Sequence, residues 1–146
     1  MGTLTVAQVG ASMFSRDRTA QWLGMSLEEV RLGYARMTMT VRPEMTNGHG
    51  ICHGGMIFTL ADTTFAYACN SHNIEAVAAS CAVEFLKPGR AGDVLHAEGR
   101  EEALVGRHGI YDIRVTTQTG ELIAVFRGKS AQLKNAVYQG STGIDA

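Results

Sequence analysis

Residues 53–70 read His53-Gly54-Gly55-Met56-Ile57-Phe58-Thr59-Leu60-Ala61-Asp62-Thr63-Thr64-Phe65-Ala66-Tyr67-Ala68-Cys69-Asn70, and Asp62 is the only ionisable carboxylate among them. A helix that is apolar almost all round has to be buried. This stretch therefore dictates a fold that encloses one long helix. A carboxylate inside such a surface is costly unless it is paired, hydrogen-bonded or used in chemistry. Asp62 is the first candidate for a working residue.

The remaining pattern says what encloses the helix. Residues 4–14 fit a short amphipathic helix, and Trp22 to Val30 a first strand. Gly33 marks a turn. From Tyr34 to Val41 the residues alternate, with Ala35, Met37, Met39 and Val41 on one side and Arg36, Thr38 and Thr40 on the other. Pro43 to Gly50 is a loop ending in Asn47-Gly48-His49-Gly50. After the helix, at about 54–71, strands are expected at Ala76 to Leu86, Val94 to Ala103, Ile110 to Thr117 and Leu122 to Leu133. Ala76 to Leu86 is small and apolar on both parities, as a central strand is. A loose tail is expected from Asn135 through Gly140-Ser141-Thr142-Gly143.

Two strands, a long helix and four strands joined by short turns predict an α+β layer, an antiparallel sheet of about six strands wrapped around the helix. Residues 1–146 are expected to form one domain, its core at about 20–133. One sheet covers only one side of the helix, so the other side is expected to meet a second copy.

Charge and cysteine usage narrow the function. The net charge of -1 leaves no basic field for nucleic acid. No apolar run reaches the roughly 18 residues of a membrane span, and the N-terminus does not read as a signal peptide. Met1-Gly2 starts like a myristoylation signal, but Val6 stands where Ser or Thr is needed. Cys52, Cys69 and Cys81 are an odd, sparse set that suits reduced thiols in a cytoplasm. They read as small buried residues. Cys52 and Cys69 stand about 25 Å apart along a helix, so Cys52, His53, Cys69 and His72 are not expected to share a metal.

The helix start is a candidate site. Its first amides lack intrahelical acceptors and carry the positive end of the dipole. Gly54 and Gly55 allow a ligand close approach, so one amide can stabilise an oxyanion; on spacing alone a plain turn with helix-start glycines is the competing explanation and the simpler one. Asp62 lies about 10–12 Å further along the axis. It cannot easily share one reacting centre with the glycines of its own chain, but antiparallel helices in a dimer can bring the two together. The competing structural role is a core carboxylate bonded to Thr59, Thr63 or Thr64. Asn47 and His53 flank the entry and can donate hydrogen bonds, against turn chemistry and helix-start packing as alternatives. Lys87, Arg90, Arg107, Arg127 and Lys129, clustered at or near strand ends, are candidates to bind a phosphorylated tail, against ordinary surface charge.

The run Asn47 to Gly55 with Leu60-Ala61-Asp62 resembles the hotdog-fold acyl-CoA thioesterases. Ala78 to Cys81, Phe85 to Gly89, Gly109 to Asp112 and Phe126-Arg127-Gly128-Lys129-Ser130 narrow the resemblance to the phenylacetic acid degradation branch. It spans residues 20–132. It implies a sheet-wrapped helix, dimers paired into tetramers, no cofactor beyond the coenzyme A of the substrate, and hydrolysis of aryl-acetyl-CoA. It assigns the carbonyl-polarising amide to Gly54 or Gly55, and the nucleophile or general base to Asp62 of the partner subunit. Asn47 and His53 become supporting polar residues. Some relatives carry a serine where Ala78 stands, so Ser80 or Thr63 is the expected substitute for positioning water. A hydroxyacyl thioester dehydratase and a non-catalytic acyl-CoA-binding protein are the alternatives.

Overall fold

The computed structural model describes residues 4–138. The elements run α1 (Val6–Phe14), α2 (Arg18–Trp22), β1 (Ser26–Arg31), β2 (Tyr34–Thr40), a 3-10 turn (Pro43–Met45), α3 (Gly54–Asn70), β3 (Ala76–Phe85), β4 (Val94–Val105), β5 (His108–Thr116) and β6 (Leu122–Gln132). All six strands pair antiparallel in the order β1-β2-β4-β5-β6-β3. The α+β layer expected from the element order is the observed fold.

The inner face of the sheet is built by alternation. Ala35, Met37 and Met39 of β2, Leu95 and Ala97 of β4, Tyr111, Ile113 and Val115 of β5, and Ala124 and Phe126 of β6 are all buried. Against them α3 lays Ile57, Leu60, Ala61, Thr64, Phe65 and Ala68. Phe65 meets Tyr111 and Phe126 at ring-centroid distances of 5.6 and 5.8 Å. Gly128 is required there, because a Cβ on it would lie 2.8 Å from the Phe65 ring. Thr59, Asp62, Thr63 and Ala66, spaced as one helical stripe, are only half-buried. The sheet does leave one side of the helix uncovered.

The far end of α3 is tied down by side chains. Asn70 exchanges two hydrogen bonds with the Ala76 backbone, at 3.0 and 2.9 Å. Ser71 Oγ accepts from the Gly33 amide at 2.8 Å, and Gly33 turns at φ +69°. Glu101 Oε1 accepts from Tyr111 Oη at 2.6 Å and lies 2.7 Å from His72 Nε2. Burial alone would raise the Glu101 carboxyl, but the hydrogen bonds from Tyr111 and His72 outweigh it and hold it below its ordinary value. A carboxyl depressed in the folded state stabilises the fold at pH above its unfolded value and loses that contribution as pH falls through the folded one. Glu101→Gln is therefore expected to cost about 1 kcal/mol at neutral pH. Urea unfolding should show the difference shrinking as pH falls below 4.5, the ordinary glutamate value.

Three expectations are corrected. Trp22 is not in the first strand. Asp17 caps α2 through the Ala20 amide at 3.1 Å, Gly24 ends the turn at φ +70°, and β1 starts only at Ser26. The segment Ala76 to Leu86 is not central. β3 is the edge of the protomer's sheet, and residues 77–82 are exposed. Its two-sided small apolar character marks an unpaired edge, not a strand between neighbours. The tail is held at its start: the Glu75 amide donates to the Asn135 carbonyl at 2.8 Å, Arg16 to the Val137 carbonyl at 3.0 Å, and the Tyr138 amide to Asn73 Oδ1 at 2.9 Å. Gly140 to Gly143 and Met1-Gly2 lie outside the described residues.

Candidate active site

The entry to α3 is assembled by backbone hydrogen bonds. The His53 amide donates to the Met45 carbonyl at 2.8 Å and the Cys52 amide to the Gly89 carbonyl at 2.7 Å. Asn47 Oδ1 accepts from the His49 and Ile51 amides at 2.9 and 3.3 Å, so its carbonyl performs turn chemistry and its side-chain NH2 keeps its donors.

His53 is the N-cap of α3, and its Nδ1 accepts from the Gly55 amide at 3.0 Å. That bond places the neutral ring's proton on Nε2. It also separates the two glycines. The Gly55 amide is satisfied by His53, whereas among the described residues no acceptor meets the Gly54 amide. Gly54 is thus the glycine whose N–H is open to an oxyanion. Phe85 stands over it: a Cβ on Gly54 would come within 3.1 Å of the ring. Asn47, Ile51, Cys52, Gly54, Ile57, Phe85, Leu86, Lys87 and Pro88 line a cleft of about 360 Å³ beside this amide. Phe85 and Leu86 are site residues that sequence does not disclose, because nothing in their spacing says that the end of β3 meets the start of α3.

Asp62 lies eight residues along α3 from Gly54, about 12 Å up the axis, and is absent from that cleft. Burial raises its carboxyl above the ordinary aspartate value. The threonines do not compensate it. Thr59 Oγ1 donates to the Gly55 carbonyl at 2.7 Å, Thr63 Oγ1 to that of Thr59 at 2.6 Å, and Thr64 Oγ1 to that of Leu60 at 2.8 Å. The side chain that does reach it is Cys81, with Sγ 3.9 Å from Asp62 Oδ1. Cys81 is exposed, which corrects the reading of all three cysteines as buried; Cys52 and Cys69 are, and burial pushes them up to about 11 and 12.

A bulge in β3 sets which side chains reach the helix. Ala78 pairs with Ser130 but Ser80 pairs with Lys129, so Ala79 is the extra residue and the parity flips. Cys81, Val83 and Phe85 then share the inner face with Gly128, Phe126 and Ala124, and Ser80 turns outward with Lys129. The expected water-positioning role of Ser80 is corrected on that ground.

The five cations do not form one cluster in the protomer. Lys87 and Arg90 lie in the β3–β4 connection; Lys87 lines the cleft and pairs with Glu121 at 3.4 Å. Arg107 lies at the β4–β5 turn, where its carbonyl accepts from Gln132. Lys87 bonds instead to the Ile123 carbonyl, about 30 Å away along β6. Arg127 and Lys129 sit within β6, not at its ends, and Arg127 holds Asp112 in two 2.6 Å contacts.

A thioesterase superfamily model matches residues 49–124. The chain is 44% identical over 126 residues to the acyl-coenzyme A thioesterase PaaI of Escherichia coli K12, covering 86% of this chain and 90% of that protein. The solved E. coli PaaI structure, from the phenylacetic acid degradation operon, superposes with a TM-score of 0.88 at 43% identity, covering 90% of this chain and 95% of that one. A variant of the phenylacetic acid degradation protein PaaI from Thermus thermophilus gives 0.77 at 33% identity, covering 80% and 100%. A Streptococcus mutans UA159 protein solved with bound acetyl CoA gives 0.74 at 26%, covering 77% and 90%. With the matched segment taking in the α3 entry and Asp62, and with a solved relative covering nine-tenths of the chain, the chain belongs to the thioesterase superfamily and has its hotdog fold.

Proposed function

We propose that the protein hydrolyses acyl-CoA thioesters, with phenylacetyl-CoA and ring-hydroxylated phenylacetyl-CoA as its substrates in phenylacetate degradation. The observation that carries this is an open amide at Gly54 and, on the same helix, a half-buried carboxylate at Asp62 that burial raises and the Cys81 thiol offsets only in part. The similarity to the E. coli and T. thermophilus proteins supports the substrate class, and the acetyl CoA complex of the S. mutans protein supports the coenzyme.

The site is shared between two copies. The uncovered stripe of α3 lies on the same helix that packs against β3, and β3 is an exposed edge of small residues, the kind of edge that pairing with a second copy hides. Antiparallel helices across it bring Asp62 of one copy toward Gly54 of the other, within a homodimer that pairs into a tetramer. The Gly54 N–H donates to the thioester carbonyl oxygen as it gains charge, worth about 3–4 kcal/mol in the transition state. Asp62 takes a proton from water as the water oxygen bonds to the carbonyl carbon. The C–S bond then breaks and the coenzyme leaves as thiolate, which regains a proton. Asn47, which lines the same cleft as Gly54, and His53, which caps the helix start, are the further donors we assign to the site through the NH2 and Nε2–H. Lys87, which lines the cleft, and Arg90, three residues on in the same connection, are our candidates to meet the phosphates of CoA. No helix among the described residues is long and apolar enough to cross a membrane; the free thiols suit the cytoplasm.

A thiol-release screen over short-chain, long-chain and aryl acyl-CoAs tests the reading. Aryl-acetyl-CoA is expected to give the highest kcat/KM, with free acid and free thiol as products. Enoyl product in place of thiol would support the dehydratase alternative, and binding without thiol release the non-catalytic one. Single turnover in labelled water separates direct attack by Asp62, which leaves label in its carboxylate, from base catalysis.

A further inference from the structure

We propose that Cys81 is a positioning residue for the Asp62 carboxylate, its thiol holding Oδ1 from the inner face of β3 across the shared site. The proposal rests on Asp62 being the reacting carboxylate, and extends that reading to the group that orients it. Three observations lead to it. Cys81 Sγ lies 3.9 Å from Asp62 Oδ1, with S–H as donor. The threonine hydroxyls around Asp62 are committed to carbonyls of α3. Finally, Cys81 reaches the helix only because of the bulge at Ala79; an unbulged register would turn Ser80, Ala82 and Glu84 inward instead.

The thiol suits the task. Partial desolvation of the thiol against the helix and the neighbouring Asp62 carboxylate raise it, so it remains protonated and keeps its donor. Its hydrogen bond opposes the rise that burial imposes on Asp62. Cys69, seven residues along α3, also senses Asp62; it is neutral, its thiol pushed up to about 12 chiefly by burial. A weak donor orients the carboxylate and leaves it basic, where a lysine or arginine at this place would fix it as an inert ion pair.

The test uses the full chain with phenylacetyl-CoA and reads kcat, KM and their pH dependence. Cys81→Ala is expected to lower kcat about three- to tenfold with KM nearly unchanged, and to move the acid limb of kcat up by about half to one pH unit. Cys81→Val, which refills the space without a donor, should behave alike. Cys81→Ser, which keeps a donor, should restore both kcat and the acid limb. Wild-type kcat and an unmoved acid limb in Cys81→Ala and Cys81→Val would overturn the proposal. So would a loss that Cys81→Ser fails to restore. Asp62→Ala is measured alongside. Turnover retained by that variant overturns the reading of Asp62 itself, whereas an inactive Asp62→Ala beside an unchanged Cys81→Ala overturns only the role of Cys81.

Discussion

Asp62→Ala is expected to lower turnover of phenylacetyl-CoA at least a hundredfold, since a positioned base contributes about 10²–10⁴ to rate. The fold should not suffer. Asp62 has no hydroxyl partner, and burial makes its charged form the costly one. Removing it at neutral pH therefore relieves a cost, and the variant should unfold in urea no earlier than the wild type. Gel filtration should show the same oligomer. An inactive protein of unchanged stability and size separates chemistry from architecture; near-normal turnover would sink the assignment of Asp62. The wild-type rate should also fall in acid through a value above 3.8, the ordinary aspartate value, because only the ionised carboxylate accepts a proton.

The second large effect lies at the contact of α3 with β6. Phe65 is 1% exposed and wedged between Tyr111 and Phe126. Phe65→Ala is expected to cost about 3–5 kcal/mol, the transfer of a ring plus the cavity it leaves. Gly128→Ala is expected to cost about 1–3 kcal/mol, because its methyl would press on a ring that its neighbours hold in place. The two are coupled: in the Phe65→Ala background the methyl enters vacated space. Adding Gly128→Ala there should cost little or regain stability, as measured by denaturant midpoints. Equal costs in both backgrounds would show that the ring is not what excludes a side chain at 128.

The same contact explains why a glycine closes the Phe126-Arg127-Gly128 run. A glycine inside a strand ordinarily weakens it. In the fold it is the space that lets the central helix lie close on the sheet. Asn47 is another residue whose reading needed the structure: its carbonyl belongs to the turn, and only its NH2 is left for chemistry. For Gly54 and Gly55 the sequence offered two equivalent amides. The His53 ring distinguishes them, because one ring nitrogen can accept from only one.

What could be read directly was local. The apolar surface around residues 54–70 demanded a buried helix, alternation from Tyr34 to Val41 and from Ile110 to Thr117 demanded half-buried strands, and an isolated carboxylate in apolar surroundings demanded a reason. These follow from period and burial, which each segment carries in itself. The order of the strands, the edge position of β3, the meeting of Phe85 with Gly54 and of Cys81 with Asp62 were decided only by tertiary structure. Each depends on which distant strand supplies the neighbouring hydrogen bonds, and on a single extra residue at Ala79 that reverses which side chains face the helix. Register is a property of a pair of strands, so no one segment of the chain contains it.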